Sequence, residues 1–151
     1  MYMAEGLDTG DMLEKSEVEI TEDDNFETVH DKLAAAGAKL IVSTLKKLEK
    51  GEITPEKQDD SLSTYAAKIE KSDCVIDFND SSDKIHDLIR GLSPFPLTYS
   101  YLNGKMVKFV ASRVISRDKH DSLPGTVLSL SDGIIEIACK EGSVGIAKLL
   151  P

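Results

Sequence analysis

The chain has 151 residues, 40% hydrophobic and 30% charged, which suits one ordinary domain or two small ones. No apolar run approaches the roughly 18 to 20 residues that span a bilayer, and the first residues lack the basic-then-apolar order of a secretion signal. The net charge of −9 is concentrated in residues 1–60, and this argues against nucleic-acid binding there, because phosphate contacts need cations.

Residues 1–4 read as the end of a strand. Glu5 to Asp11, with Gly6 and Gly10, reads as a loop, since two glycines tolerate unusual backbone angles. A strand is expected from Met12 to Ile20, around Leu13, Val18 and Ile20. Asp24 or Asn25 supplies capping chemistry for a helix with Glu27 in its first turn. Val29, Leu33, Ala36, Leu40, Thr44 and Leu48 recur at spacings of three and four and form one apolar face. Gly37 is expected to bend or split this helix. Lys46, Lys47 and Lys50 near its end and Gly51 just beyond are stop signals.

Residues 51–63 are polar, lack periodicity and contain Pro55, as a linker or surface excursion does. Asp80 to Leu92 reads as a second helix, with Ile85, Leu88, Ile89 and Leu92 on one face. Beyond Leu97 the pattern changes to strands. Thr98 to Leu102 and Lys105 to Ile115 flank Asn103-Gly104, a two-residue hairpin signal. Val127 to Leu130 and Ile134 to Cys139 flank Ser131-Asp132-Gly133, and Ser143 to Leu149 follows Glu141-Gly142. Short strands at this spacing predict a small antiparallel sheet closed into a barrel. Cys74 and Cys139 are too far apart for a CxxC pair and are expected as free or buried thiols.

Two features bear on chemistry. Asp8 stands on a glycine-flanked loop after an expected strand, a common place for a catalytic carboxylate; from the local pattern alone, an Asx-type turn is the more ordinary role of such an Asp. Lys105, Lys108, Arg113, Arg117 and Lys119 face a single acid, Asp118, over residues 105–119. This is where a nucleic-acid surface would lie, although charge alone favours a solvated strand pair. His30, His86 and His120 read as structural or solvent-facing. Phe95 reads as a core aromatic rather than a base-stacking one.

The segment Gly6-Leu7-Asp8-Thr9-Gly10-Asp11-Met12-Leu13 resembles the signature loop of methionyl-tRNA formyltransferases. Further matches follow in order: Glu27-Thr28, Lys32-Leu33 through Gly37-Ala38, Gln58-Asp59, Thr64-Tyr65-Ala66 with Lys68-Ile69, Ile76-Asp77-Phe78, Ile89-Arg90-Gly91-Leu92-Ser93-Pro94-Phe95-Pro96 and Pro124-Gly125-Thr126-Val127. The ordered set covers essentially the whole chain.

The resemblance implies an α+β chain. Residues 1–56 would be the C-terminal remnant of a Rossmann-like α/β catalytic domain, 57–67 a linker, and 68–151 a small open β-barrel related to oligonucleotide-binding folds, cut short at its end. It implies transfer of a formyl group from 10-formyltetrahydrofolate to the amino group of methionyl initiator tRNA, in the cytoplasm, with no metal. Asp8 would be catalytic, holding a His and helping move protons. Gly6, Leu7, Thr9 and Gly10 would shape the substrate and cofactor loop. Lys105, Lys108, Arg113, Arg117 and Lys119 would contact tRNA, and Arg90 would either join them or serve its own helix, by compensating the dipole at the C-terminal end or packing its stem. The family's Asn-x-His pair and His-Ser-Leu-Leu-Pro segment do not occur here, so the chain is expected to be an inactive fragment of a monomeric enzyme. Its residues 1–60 are expected to be loosely ordered or to self-associate. The competing readings are a non-catalytic RNA- or protein-binding barrel and a sugar-nucleotide formyltransferase.

Overall fold

The computed structural model describes residues 1–151, in two compact units. The first comprises Met1–Glu22 and Thr28–Lys68, the second Asp23–Glu27 and Ile69–Pro151.

The first unit is built on one long helix, α1 (Phe26–Glu49). Glu27 lies in its first turn and Lys46 and Lys47 in its last, each favourable to the helix dipole. Gly51, at φ +69°, follows its end. Gly37 does not split it: α1 is continuous, and a methyl at Gly37 would meet nothing within 4 Å. The expected strand over Met12 to Ile20 does not form, nor does one over residues 1–4. Met12 makes a single antiparallel bridge with Glu56, and Tyr2 N–H donates to Asp11 O. The physical reason is Glu14. Its carboxylate accepts hydrogen bonds from Ser43 and Thr44 and an ion pair from Lys47, which ties this stretch to α1 rather than to a neighbouring strand. Those bonds, the one from Lys47 first, hold the Glu14 carboxyl below its ordinary value. The predicted face of α1 is only partly covered: Thr44 is buried, Val29, Ala36, Leu40 and Leu48 are half-buried, and Leu33 is exposed with Ile41, Val42 and Leu45.

The second unit is α+β. Two short 3-10 turns (Asp60–Leu62, in the first unit, and Lys71–Cys74, here) precede helix α2 (Ser82–Gly91), whose N-cap is Ser81, its hydroxyl accepting from Lys84 N–H. Strands β1 (Thr98–Leu102), β2 (Lys105–Ser116), β3 (Val127–Ser131), β4 (Ile134–Ala138) and β5 (Ser143–Leu150) follow. Their order across the sheet is β1-β2-β5-β4-β3, antiparallel throughout. The two hairpins turn on Asn103-Gly104 and Asp132-Gly133, all four residues at positive φ, as two-residue primed turns require. β1 and β3 end the order and do not pair with each other, and Val75 bridges Tyr99 on the outer side of β1, so the expected closure into a barrel is not observed. The long β2 bends instead: its register with β5 shifts near Phe109, Ala111 and Val114, and bulges of this kind add twist.

One side of the sheet packs on α2. Ile85 and Ile89 from the helix meet Ile76, Phe109, Ile137, Cys139, Val144 and Ile146. On the other side Glu136 of β4 accepts from Ser129 of β3 and Ser143 of β5. Thr98 is buried in the first strand, and its hydroxyl has no hydrogen-bond partner. A buried, unsatisfied hydroxyl costs its desolvation. Thr98→Val is therefore expected to stabilise the protein by about 1 kcal/mol; a lower midpoint in urea denaturation would refute this.

Candidate functional site

The Asp8 loop is held by one local contact and two from a distant side chain. Thr9 Oγ1 donates to Gly6 O, and the Gln58 side-chain amide donates to the carbonyls of both Asp8 and Gly10 at 2.7 Å. Gly10 is buried, and a Cβ there would fall 1.8 Å from Tyr2 O. A glycine is required at this position for close backbone approach rather than for an unusual φ. The sequence singled out the glycines; the role of Gln58, forty-eight residues along the chain from Gly10, carried no local signal.

Asp8 itself sits at φ +56° and is exposed. Left-handed backbone is uncommon outside glycine, with Asp and Asn the usual exceptions. Its backbone carbonyl is engaged by Gln58, but its carboxylate takes no local hydrogen bond and makes no ion pair. The Asx-turn alternative is thus not what occupies this side chain. Residues 1–10 line a shallow cavity of about 310 Å³, which includes Asp8 and Leu7. A second, apolar cavity of about 470 Å³ lies between Met1–Met3 and the α1 residues Leu40, Ile41, Leu45 and Leu48.

The histidines have structural partners. His30 Nδ1 lies 3.1 Å from Asp31, and His86 Nδ1 lies 3.0 Å from Ser112 Oγ. His120 Nδ1 accepts from Ser122 N–H, so Nε2 donates to Gly142 O at 2.8 Å. Cys74 and Cys139 are free and buried; burial pushes the Cys139 thiol up to about 11, which makes it a poor nucleophile. No three His, Cys, Asp or Glu side chains gather as a metal site, and no helix is long and apolar enough to cross a membrane.

In the second unit the structure divides the six candidate cations. Arg117 makes a two-pronged pair with Asp83, at 2.8 to 3.1 Å. Lys119 lies 4.0 Å from Glu141. Arg90 bonds Asp87 and donates to the carbonyl of Asp24. Lys105, Lys108 and Arg113, all on β2, are exposed and have no acid partner. Phe95, expected in the core, is 79% exposed; the Ser93–Pro96 stretch follows α2 and leaves the ring outside the cluster that Ile85 and Ile89 build.

The first unit thus carries Asp8 on its glycine-flanked loop, and the second carries exposed cations on an antiparallel sheet. Comparison with known proteins makes the assignment. The family model described as "Formyl transferase, C-terminal domain" matches residues 68–151, and that described as "Formyl transferase" matches residues 1–45. The chain belongs to the formyl transferase family. Methionyl-tRNA formyltransferases of Clostridium novyi (strain NT) and Bacillus subtilis (strain 168) are each 41% identical to it, over 99% and 100% of this chain and 48% of their own length. The chain thus spans about half the length of the curated relatives it matches. Among solved structures, HypX from Aquifex aeolicus in complex with tetrahydrofolic acid aligns at TM-score 0.66 and 19% identity, over 97% of this chain and 25% of that one. An N-formyltransferase from Helicobacter canadensis, in complex with folinic acid and dTDP-3-aminofucose, aligns at TM-score 0.71 and 17% identity, over 95% and 52%. At those identities the likeness is one of fold.

Proposed function

We propose that these residues form the C-terminal half of an enzyme that moves a formyl group from 10-formyltetrahydrofolate to the amino group of methionyl initiator tRNA in the cytoplasm. The observation that carries this reading is the unengaged carboxylate of Asp8 on a loop whose Gly6, Asp8 and Gly10 carbonyls all accept hydrogen bonds from side chains, in a chain 41% identical to methionyl-tRNA formyltransferases. The chemistry suits it. The neutral amine attacks the formyl carbon, a C–N bond forms, charge develops on the formyl oxygen, and the bond to the donor nitrogen breaks. The amine proton must leave as this happens, and the donor nitrogen must take one up. A His relays it best when a carboxylate fixes its tautomer and stabilises its charged form. Asp8 is that carboxylate in this reading, while Gly6, Leu7, Thr9 and Gly10 hold the loop against the folate co-substrate.

Residues 1–56 are then the end of the catalytic domain, 57–67 a linker, and 68–151 a unit whose bent sheet acts as an open, oligonucleotide-binding-like barrel for tRNA. Lys105, Lys108 and Arg113, with Arg90, Arg117 and Lys119 at its margins, would meet phosphates of the acceptor arm, mainly without reading sequence. A sugar-nucleotide acceptor is less well supported, because the relatives that act on sugars align only at the level of fold.

A chimera tests the reading: this chain in place of the matching half of the Bacillus subtilis enzyme, assayed with 10-formyltetrahydrofolate and methionyl-tRNA. We expect turnover from the chimera, none from the 151-residue chain alone, and a loss of roughly 10²-fold or more with Asp8→Asn. Unchanged turnover in the Asp8→Asn chimera would remove Asp8 from the mechanism.

A further inference from the structure

Strands β1, β2 and β5 lie side by side and contain Lys105, Lys108, Arg113 and Lys148 but no Asp or Glu. In a chain of net charge −9 this acid-free ribbon is a strong local departure, and none of its four cations makes an ion pair. Tyr99 and Tyr101 stand two apart on β1, so both side chains point to one face. Their rings pack edge to face, with centroids 6.0 Å apart and planes at 85°. The face is the solvent side, because the alternating residue Thr98 is buried opposite buried Phe109.

Lys108 is the direct cross-strand partner of Tyr99, and Met106 that of Tyr101. Leu150 of β5 continues the row beyond Lys108, and Lys148 sits opposite Ala111. Tyr101 is 61% exposed. An edge-to-face pair leaves a ring face open to a third aromatic plane, and Tyr99 stiffens its neighbour so that little side-chain freedom is lost on stacking. Cations on the adjoining strands can neutralise the phosphates flanking a stacked base. Aromatic rings beside a groove of positive charge are how single strands are held without sequence readout.

We propose that Tyr99 and Tyr101, with Lys108 and Lys148, form a stacking platform for an unpaired nucleotide of an RNA strand. The proposal rests on the reading that this unit meets RNA, and adds a base-stacking contact to a surface otherwise described by charge alone. The occupant is a polyanion because the ribbon holds only positive charge.

Anisotropy with the full chain and a short single-stranded RNA carrying one 2-aminopurine, compared with the same strand made abasic at that nucleotide, tests it. Tyr101→Ala is expected to weaken binding of the intact strand about fivefold to a hundredfold, to leave binding of the abasic strand unchanged, and to leave the salt slope unchanged. Quenching of the 2-aminopurine should disappear with Tyr101→Ala and persist with Tyr101→Phe. Lys108→Ala should instead lower the salt slope by about one. Equal affinity of wild type and Tyr101→Ala for the intact strand would overturn the platform while leaving salt-dependent RNA binding intact. Absence of any RNA binding by the wild-type chain would remove the RNA reading of this unit, and the platform with it. Sedimentation showing a dimer that Tyr101→Ala dissolves would overturn the proposal and assign the face to a second copy of the chain.

Discussion

Gly142→Val is expected to cost the second unit about 3 to 5 kcal/mol, a large share of the roughly 5 to 15 kcal/mol that a small domain has. Two effects combine. Gly142 has φ +77°, which a β-branched residue strongly resists. Any Cβ would also lie 2.0 Å from Ser116 O, 2.8 Å from Ser116 C and 2.6 Å from Ser82 Oγ. The carbonyl belongs to the end of β2, and Ser82 Oγ already donates to it at 3.0 Å. Ser82 N–H is in turn bound to Glu141 O, and the Gly142 carbonyl accepts from Cys139 N–H and from His120. No flexible side chain is available to yield, so the start of α2, the end of β2 and the turn before β5 must separate. Gly104→Ala is the control. Gly104 also has φ +77°, but nothing lies within 4 Å of the added methyl, and only backbone strain of about 1 kcal/mol is expected. Urea denaturation of both variants decides the point; equal losses would show that the collision at Gly142 is relieved at little cost.

Ile89→Ala should cost about 2 to 5 kcal/mol. Ile89 is fully buried, on the face of α2 that meets Phe109, Val144 and Ile146. Truncation removes transfer energy and leaves a void that a helix pinned at its N-cap by Ser81 and at its first residue by Glu141 cannot readily fill. For a domain of this size each kcal/mol lowers Tm by about 4 to 8 °C. Leu130→Ala, on exposed β3, should change Tm by much less. A loss at Ile89 no larger than that at Leu130 would contradict the core described above.

The second unit was largely legible in the sequence. The expected segments Thr98 to Leu102, Lys105 to Ile115, Val127 to Leu130, Ile134 to Cys139 and Ser143 to Leu149 fall within a residue of the observed strands. Turn chemistry explains this: Asn103-Gly104 and Asp132-Gly133 fix where each hairpin reverses, and alternation fills the rest. Pairing order was not legible. That β5 inserts between β2 and β4 depends on contacts between residues such as Ser112 and Ile146, and no local pattern encodes a partner that far away. The expected closure failed for the same reason, since whether β1 meets β3 is a long-range pairing that no local pattern encodes.

In the first unit, the expected strand at Met12 to Ile20 failed because a charged side chain outweighed a weak alternation. Glu14 finds three partners on α1, and hydrogen bonds to a charged group are worth more than the propensity of a few apolar residues. The expected split at Gly37 failed too: one glycine weakens a helix by about 1 kcal/mol but does not stop it. At the candidate site, Asp8 and its glycines were visible as a motif. Gln58 was also part of a matching segment, but its hydrogen bonds to the loop depend on folding, and the separation of Lys105, Lys108 and Arg113 from the paired Arg117 and Lys119 depends on where Asp83 and Glu141 come to lie.

Glu136 has a consequence for the sheet as a whole. Its two carboxylate oxygens are clamped by serines from the strands on either side, Ser129 and Ser143. Sliding β4 by one residue would forfeit both bonds and turn Ile135 and Ile137 towards water at the same moment, since strand side chains alternate with a period of two. A single acidic group thereby makes misaligned pairings of three strands unfavourable, so that the correct alignment is selected by polar chemistry on one side and by greasy side chains on the other.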